Sequence, residues 1–137
     1  MLTSGKFGKN GTVKVKLLLD TNVIIDFLKL EKAAFDLSTL LLEHECLVSV
    51  ITKLELLKYP LITPAEEKTI IEFLQLVPII TINADIENET IALSRSTKLK
   101  LPDAIIGATA IVFGAELVTR DPDFLKCQYD RLHFFVS

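Results

Sequence analysis

Four acids stand where the chain passes from one regular element to the next: Asp20 after Leu17-Leu18-Leu19, Glu55 in Thr52-Lys53-Leu54-Glu55, Asp103 in Leu101-Pro102-Asp103, and Asp121 in Thr119-Arg120-Asp121. Each has an ordinary structural use. Asp20 and Asp121 are of the type that caps a helix, an interaction worth about 1 kcal/mol. Glu55 fits the last position of a Ser/Thr-x-x-Glu capping box, and Asp103 answers a helix dipole. Gathered in one place, the four would do something else. Clustered carboxylates repel, and a site with about four negative charges needs protons or cations to neutralise it. An all-oxygen donor set suits Mg²⁺ or Mn²⁺, whereas zinc usually takes His or Cys, which these motifs lack. One or two such ions activate water and stabilise the oxyanions of an in-line attack on a phosphodiester. No Ser-His-Asp grouping, glycine-rich phosphate loop or Cys-x-x-Cys competes for the chemistry. His44 and His133 lie outside the acidic motifs and read as structural or solvent-facing.

Whether the acids meet depends on the elements that carry them. Val15-Lys16-Leu17-Leu18-Leu19 is a short apolar run that reads as a buried strand, which puts Asp20 at its carboxyl end. Ile24, Phe27 and Leu28 share a helical face, a second helical pattern runs from about Ala33 to Leu42, and Cys46 to Ile51 reads as strand two. The Thr52–Glu55 box then opens a helix that must stop near Tyr59-Pro60. Thr63-Pro64-Ala65-Glu66 starts another, continued by Ile70, Phe73, Leu74 and Val77 at helical spacing. Pro78 to Ile82 reads as strand three, and Asn83 caps a helix whose first turn carries Asp85, Glu87 and Glu89. Pro102 opens a helix with Asp103 in its first turn and with Gly107, Ala108 and Ala110 as a thin face toward the sheet; Gly114 ends it. Glu116 to Thr119 is a strand, and His133 to Val136 a last edge strand. The alternation predicts a parallel α/β sheet covered by helices. In such a sheet the strand-to-helix junctions share one edge, where ligands bind, and Asp103 can point there too.

At 137 residues the chain holds one domain, expected at 13–137, with the Gly- and Lys-rich residues 1–12 as a flexible N-terminal extension. A net charge of -3 argues against an avid, purely electrostatic nucleic-acid binder, though not against an enzyme that meets nucleic acid through metal ions and a few cations. Two cysteines in no close-spaced motif, no apolar run long enough for a membrane and no signal-peptide core predict a cytoplasmic protein with reduced thiols and no membrane partner.

Leu19-Asp20-Thr21-Asn22, Ser49-Val50-Ile51-Thr52-x-x-Glu55-Leu56, Leu101-Pro102-Asp103-Ala104 with Ala108-Thr109-Ala110, and Leu117-Val118-Thr119-Arg120-Asp121 with Phe124 occur in that order. Together they resemble the PIN-domain family in its bacterial VapC-type toxin form, over about residues 15 to 136. The resemblance implies a PIN-like α/β/α sandwich with a parallel, roughly five-stranded sheet, and a metal-dependent endoribonuclease using Mg²⁺ or Mn²⁺. It implies that Asp20, Glu55 and Asp103 hold the metal and that Asp121 is the more variable fourth acid, with Asp123 as its substitute. Asn22 and Thr119 match polar residues that orient the acids or the metal-bound water. The resemblance also implies a type II toxin–antitoxin pair, with RNA as substrate, a cognate antitoxin as partner and a homodimer as the assembly. Arg95, Lys98, Lys100 and Arg120, near the acids in sequence, are candidates for contacts to RNA phosphates.

Two rival readings are distinguishable. A haloacid-dehalogenase-like phosphatase also places an Asp after strand one, but wants a second Asp two residues on, where this chain has Asn22. A catalytically silent PIN-like binding module would carry the same fold without binding metal.

Overall fold

A computed structural model of the chain describes residues 13–29 and 35–136. Four strands, β1 (Lys16–Leu19), β2 (Glu45–Ser49), β3 (Ile79–Ile80) and β4 (Glu116–Val118), form one sheet in the order β3-β2-β1-β4. All three pairings are parallel. The helices between them are α1 (Thr21–Leu28), α2 (Leu37–Glu43), α3 (Val50–Leu57), α4 (Pro64–Leu74), α5 (Ala84–Ser96), α6 (Leu101–Val112) and α7 (Pro122–Leu125). The expected fifth strand is reduced to a single parallel bridge, Leu117 to Phe134, beside β4. The Leu117 N–H donates to the His133 carbonyl at 2.9 Å, and the Leu117 carbonyl accepts from the Phe135 N–H at 3.0 Å. The extension expected at residues 1–12 lies outside the described residues.

The alternation of side chains along β1 builds the two core layers. Leu17 and Leu19, both fully buried, face a cluster with Val23 and Ile24 of α1, Leu37 and Leu40 of α2, and Phe73 and Leu74 of α4. Leu18 faces the other side, with Ile106 and Ala110 of α6, Phe124 of α7, and Leu132. The sheet is therefore sandwiched between helical layers.

Local signals set several element ends. Thr63 and Glu66 form a reciprocal capping box, with Thr63 Oγ1 accepting from the Glu66 N–H at 3.1 Å and Glu66 Oε1 accepting from the Thr63 N–H at 3.0 Å. Asn83 caps α5 by accepting the Ile86 N–H at 2.9 Å. Gly114 leaves α6 at φ +63, a left-handed conformation that glycine takes without a Cβ clash.

Other expectations are corrected. Strand two ends at Ser49 rather than Ile51, and Val50 and Ile51 lie inside α3. Ser49 caps α3, its hydroxyl accepting from the Ile51 N–H at 3.1 Å. Thr52 and Glu55 therefore sit one turn apart within the helix and form no capping box, because the cap is already supplied three residues earlier. Glu89 lies beyond the first turn of α5 and instead pairs with Arg131, Oε2 to NH2 at 2.6 Å. Gly107 faces α5 rather than the sheet: a Cβ there would meet Leu93 Cδ2 at 2.9 Å, so the two helices approach through this residue.

Candidate metal centre

Because the strands are parallel, β1, β2 and β4 all deliver their carboxyl ends to one edge, with β1 in the middle. Asp20 follows β1 directly. Its backbone N–H continues the sheet by donating to the Val118 carbonyl at 3.0 Å. Its side chain is almost fully buried, with Oδ1 accepting the Thr21 N–H at 2.8 Å and Oδ2 accepting the Thr119 hydroxyl at 2.7 Å. Burial raises the Asp20 carboxyl above the ordinary range. The hydrogen bonds from Thr119 and Thr21 oppose that rise, and the charges of Asp121 and Glu55 add to it.

Glu55 approaches from the β2 side on α3. Its Oε1 lies 2.7 Å from the Thr21 hydroxyl, which is also 3.0 Å from the hydroxyl of Thr52. A hydroxyl has one proton, and an ionised carboxylate only accepts. Thr21 therefore donates to Glu55, and fully buried Thr52 donates to Thr21. Helical spacing puts Thr52 and Glu55 on one face of α3, so a single helix supplies both ends of this chain of hydrogen bonds.

Asp121 comes from the β4 side as the N-cap of α7, its Oδ1 accepting the Asp123 N–H at 2.9 Å. The Asp121 N–H donates to Thr119 Oγ1 at 3.0 Å. Asp103 completes the group from the first turn of α6, a helix whose N-terminus has no side-chain cap. One oxygen each from Asp103, Asp121 and Asp123 lie within 4.8 Å of one another, the closest acidic group among the described residues. The Asp103 carboxyl is pushed up to about 6, first by burial and then by the charges of Asp20, Asp121, Glu55 and Asp123. All five carboxylates thus share one electrostatic environment. The close group includes Asp123 beside Asp121 rather than in its place, while Asp20 and Glu55 are held alongside by threonine hydroxyls. Such an oxygen-only group fits a hard divalent cation.

The PIN domain model matches residues 17–128. The chain belongs to the PIN domain family. Its structure is similar to a toxin–antitoxin complex from Klebsiella pneumoniae, at 33% identity over 80% of this chain and 91% of that one, with a TM-score of 0.65. VapBC2 from Rickettsia felis, bound to a DNA fragment from its promoter, shares the fold at 20% identity and a TM-score of 0.74, covering 88% of this chain and 97% of that one. VapBC-1 from nontypeable Haemophilus influenzae shares it at 23% identity and a TM-score of 0.70, covering 88% and 96%. No match was found among curated proteins.

The remaining candidate residues of this PIN domain are placed unequally. Asn22, in the first turn of α1, is half-buried, but the hydrogen bonds recorded to Asp20 come from Thr21 and Thr119. Arg95, Lys98 and Lys100 are exposed, and Lys100 immediately precedes α6. Arg120 is half-exposed and engaged with a carboxylate. Its guanidinium forks onto Asp26 of α1, with Nε to Oδ2 at 2.5 Å and NH2 to Oδ1 at 2.9 Å. The pairing engages Nε and NH2 of a guanidinium that carries five N–H donors. Thr21 and Asp26 carry contacts that sequence reasoning did not assign. An acid between Ile25 and Phe27 on an otherwise apolar helix was the available signal for Asp26. Nothing in the spacing could reveal that Thr21 reaches α3.

Among the described residues, no helix is long and apolar enough to cross a membrane. His44 is buried and structural, its Nδ1 accepting from the Val15 N–H at 3.3 Å, and His133 is exposed.

Proposed function

We propose that this PIN domain is a Mg²⁺- or Mn²⁺-dependent endoribonuclease, the toxin of a type II toxin–antitoxin pair. The observation that carries the reading is the convergence of Asp103, Asp121 and Asp123 within 4.8 Å beside Asp20 and Glu55. Family membership supports hydrolysis of nucleic acid.

Asp103, Asp121 and Asp123 would hold the ion, with Asp20 and Glu55 completing the acidic wall. When bound, the ion supplies activation of water and stabilisation of charge on the phosphodiester. The chain's own contribution is arrangement. Thr119 keeps Asp20 and Asp121 in register, and Thr21 holds one oxygen of Glu55 so that the other stays available. Asp103, with its carboxyl raised to about 6, exchanges a proton for a cation near neutral pH. Lys98 and Lys100, exposed ahead of Asp103, would meet flanking phosphates, with Arg95 behind them.

The antitoxin partner is supported by the Klebsiella pneumoniae complex. It is supported also by an apolar groove of about 490 Å³ between α1, α3 and α4, lined by Ile25, Leu28, Leu56, Tyr59 and Ile70, with Glu55 at its edge. Homodimer formation and a cytoplasmic location belong to the same reading.

The test is cleavage of a mixed RNA pool by purified protein with Mg²⁺, with Mn²⁺ and with EDTA, alongside Asp20→Asn. Ion-dependent cutting that the variant loses is the expected result. Absence of both cutting and calorimetric ion binding would overturn the proposal and leave a silent binding module.

A further inference from the structure

The catalytic reading gives no role to Asp26, yet this residue is the most conspicuous charge on the inner face of α1. It is 7% exposed, and a buried carboxylate is costly unless paired and hydrogen-bonded. Its partner, Arg120, is 94 residues away in the chain and stands between Thr119 and Asp121. Both neighbours belong to the acidic edge. Thr119 donates to Asp20, and the Asp121 N–H returns to Thr119. The helix that begins at Asp20 is therefore joined to the turn between β4 and α7 at two points: Asp20 to Thr119 at its head, and Asp26 to Arg120 further along.

From this geometry we infer that Asp26 is a positioning residue: acting through the Arg120 fork, it anchors the β4–α7 turn so that Thr119 and Asp121 stay aligned with Asp20. The Asp20 N–H to Val118 carbonyl bond and the Thr119 hydroxyl hold only the β4 end of the turn. Two parallel N–H···O contacts from a planar guanidinium fix its orientation as well as its distance. The anchoring follows from the contacts alone, whereas its consequence for metal binding rests on the nuclease reading.

The test uses the full chain as Asp26→Asn, which removes the charge, and Arg120→Lys, which keeps the charge and loses the fork. The first readout is hydrogen exchange of the Asp121 amide, with the Ile86 amide at the head of α5 as reference. Exchange at Asp121 should quicken about tenfold or more in both variants through local opening, with Ile86 unchanged. The second readout is Mn²⁺ affinity by calorimetry, which should weaken about 10- to 100-fold, as expected when support behind metal ligands is lost. Unchanged Asp121 exchange would overturn the inference. So would equal acceleration at Ile86, which would make the pair a contributor to global stability alone. A wild-type chain that binds no Mn²⁺ would overturn the nuclease reading, and the exchange data would still decide the anchoring.

Discussion

Thr119 ties Asp20 to Asp121 with a single hydroxyl, donating to Asp20 Oδ2 at 2.7 Å and accepting the Asp121 N–H at 3.0 Å. Thr119→Val keeps the shape and removes both contacts, stranding a carboxylate oxygen on a residue only 4% exposed. Stability should fall by about 1–3 kcal/mol, the cost of leaving a buried polar group unpaired, measured by urea denaturation. Thr119→Ser should restore most of the loss. A valine variant as stable as wild type would mean that Asp20 finds another donor.

The acidic edge should make the ion-free protein less stable as it becomes more charged. Asp103 titrates at about 6 in the folded chain against an ordinary 3.8, so the folded state holds this proton more tightly than the unfolded state. Stability from that proton is complete below about pH 4 and is lost as pH rises through about 6. Asp20, also shifted upward, acts in the same direction. Thermal melts in EDTA should therefore drop across this window. Mn²⁺ or Mg²⁺ should reverse the drop, with a gain in Tm that grows with pH as the ion replaces the proton. Melts that rise with pH in EDTA would show that the carboxylates do not repel one another.

Asp103→Asn separates stability from activity. The amide keeps the size and hydrogen-bonding capacity of the side chain but removes its charge from the group. RNA cleavage should fall by orders of magnitude, while Tm in EDTA at neutral pH should equal or exceed that of wild type, as expected where a functional site is built at a cost in stability. Cleavage at the wild-type rate would remove Asp103 from the site.

Glu55 depends on Thr21 in the same manner. Thr21→Val deletes the donor to Glu55 Oε1 and the acceptor for the buried Thr52 hydroxyl. Divalent-ion affinity should weaken about tenfold or more. Thr21→Ser, which retains the hydroxyl, should bind as wild type does. Calorimetric titration of both variants decides it.

The elements legible in advance were those with local causes. Thr63-Pro64-Ala65-Glu66 announces α4 because cap, proline and Glu act within one turn. The heads of β1, α5 and α6 are of the same kind. What was misread depended on distant partners. Val50 and Ile51 have the β-branched character of a strand, but Ser49 is in place to cap a helix, and tertiary position decides between the two. The edge strand expected near Phe134 amounts to one bridge to Leu117 of β4, a pairing with a partner well away in sequence. The acids themselves could be picked out by type and junction. Their linkage through Thr21, Thr52 and the Asp26–Arg120 pair could not, since those contacts join residues 31 to 94 positions apart.

The pairing of β1 with β4 also sets when the site can exist. Asp20 meets Thr119 across 99 residues of chain, and Asp121 follows later still. During synthesis β1, β2 and α3 emerge before the residues that align Asp20 and complete the acidic group. A nascent chain halted before β4 would hold Asp20 and Glu55 without the arrangement that binds an ion. The proposed ion site therefore assembles only once the chain as far as Asp123 has been made and β4 has paired with β1.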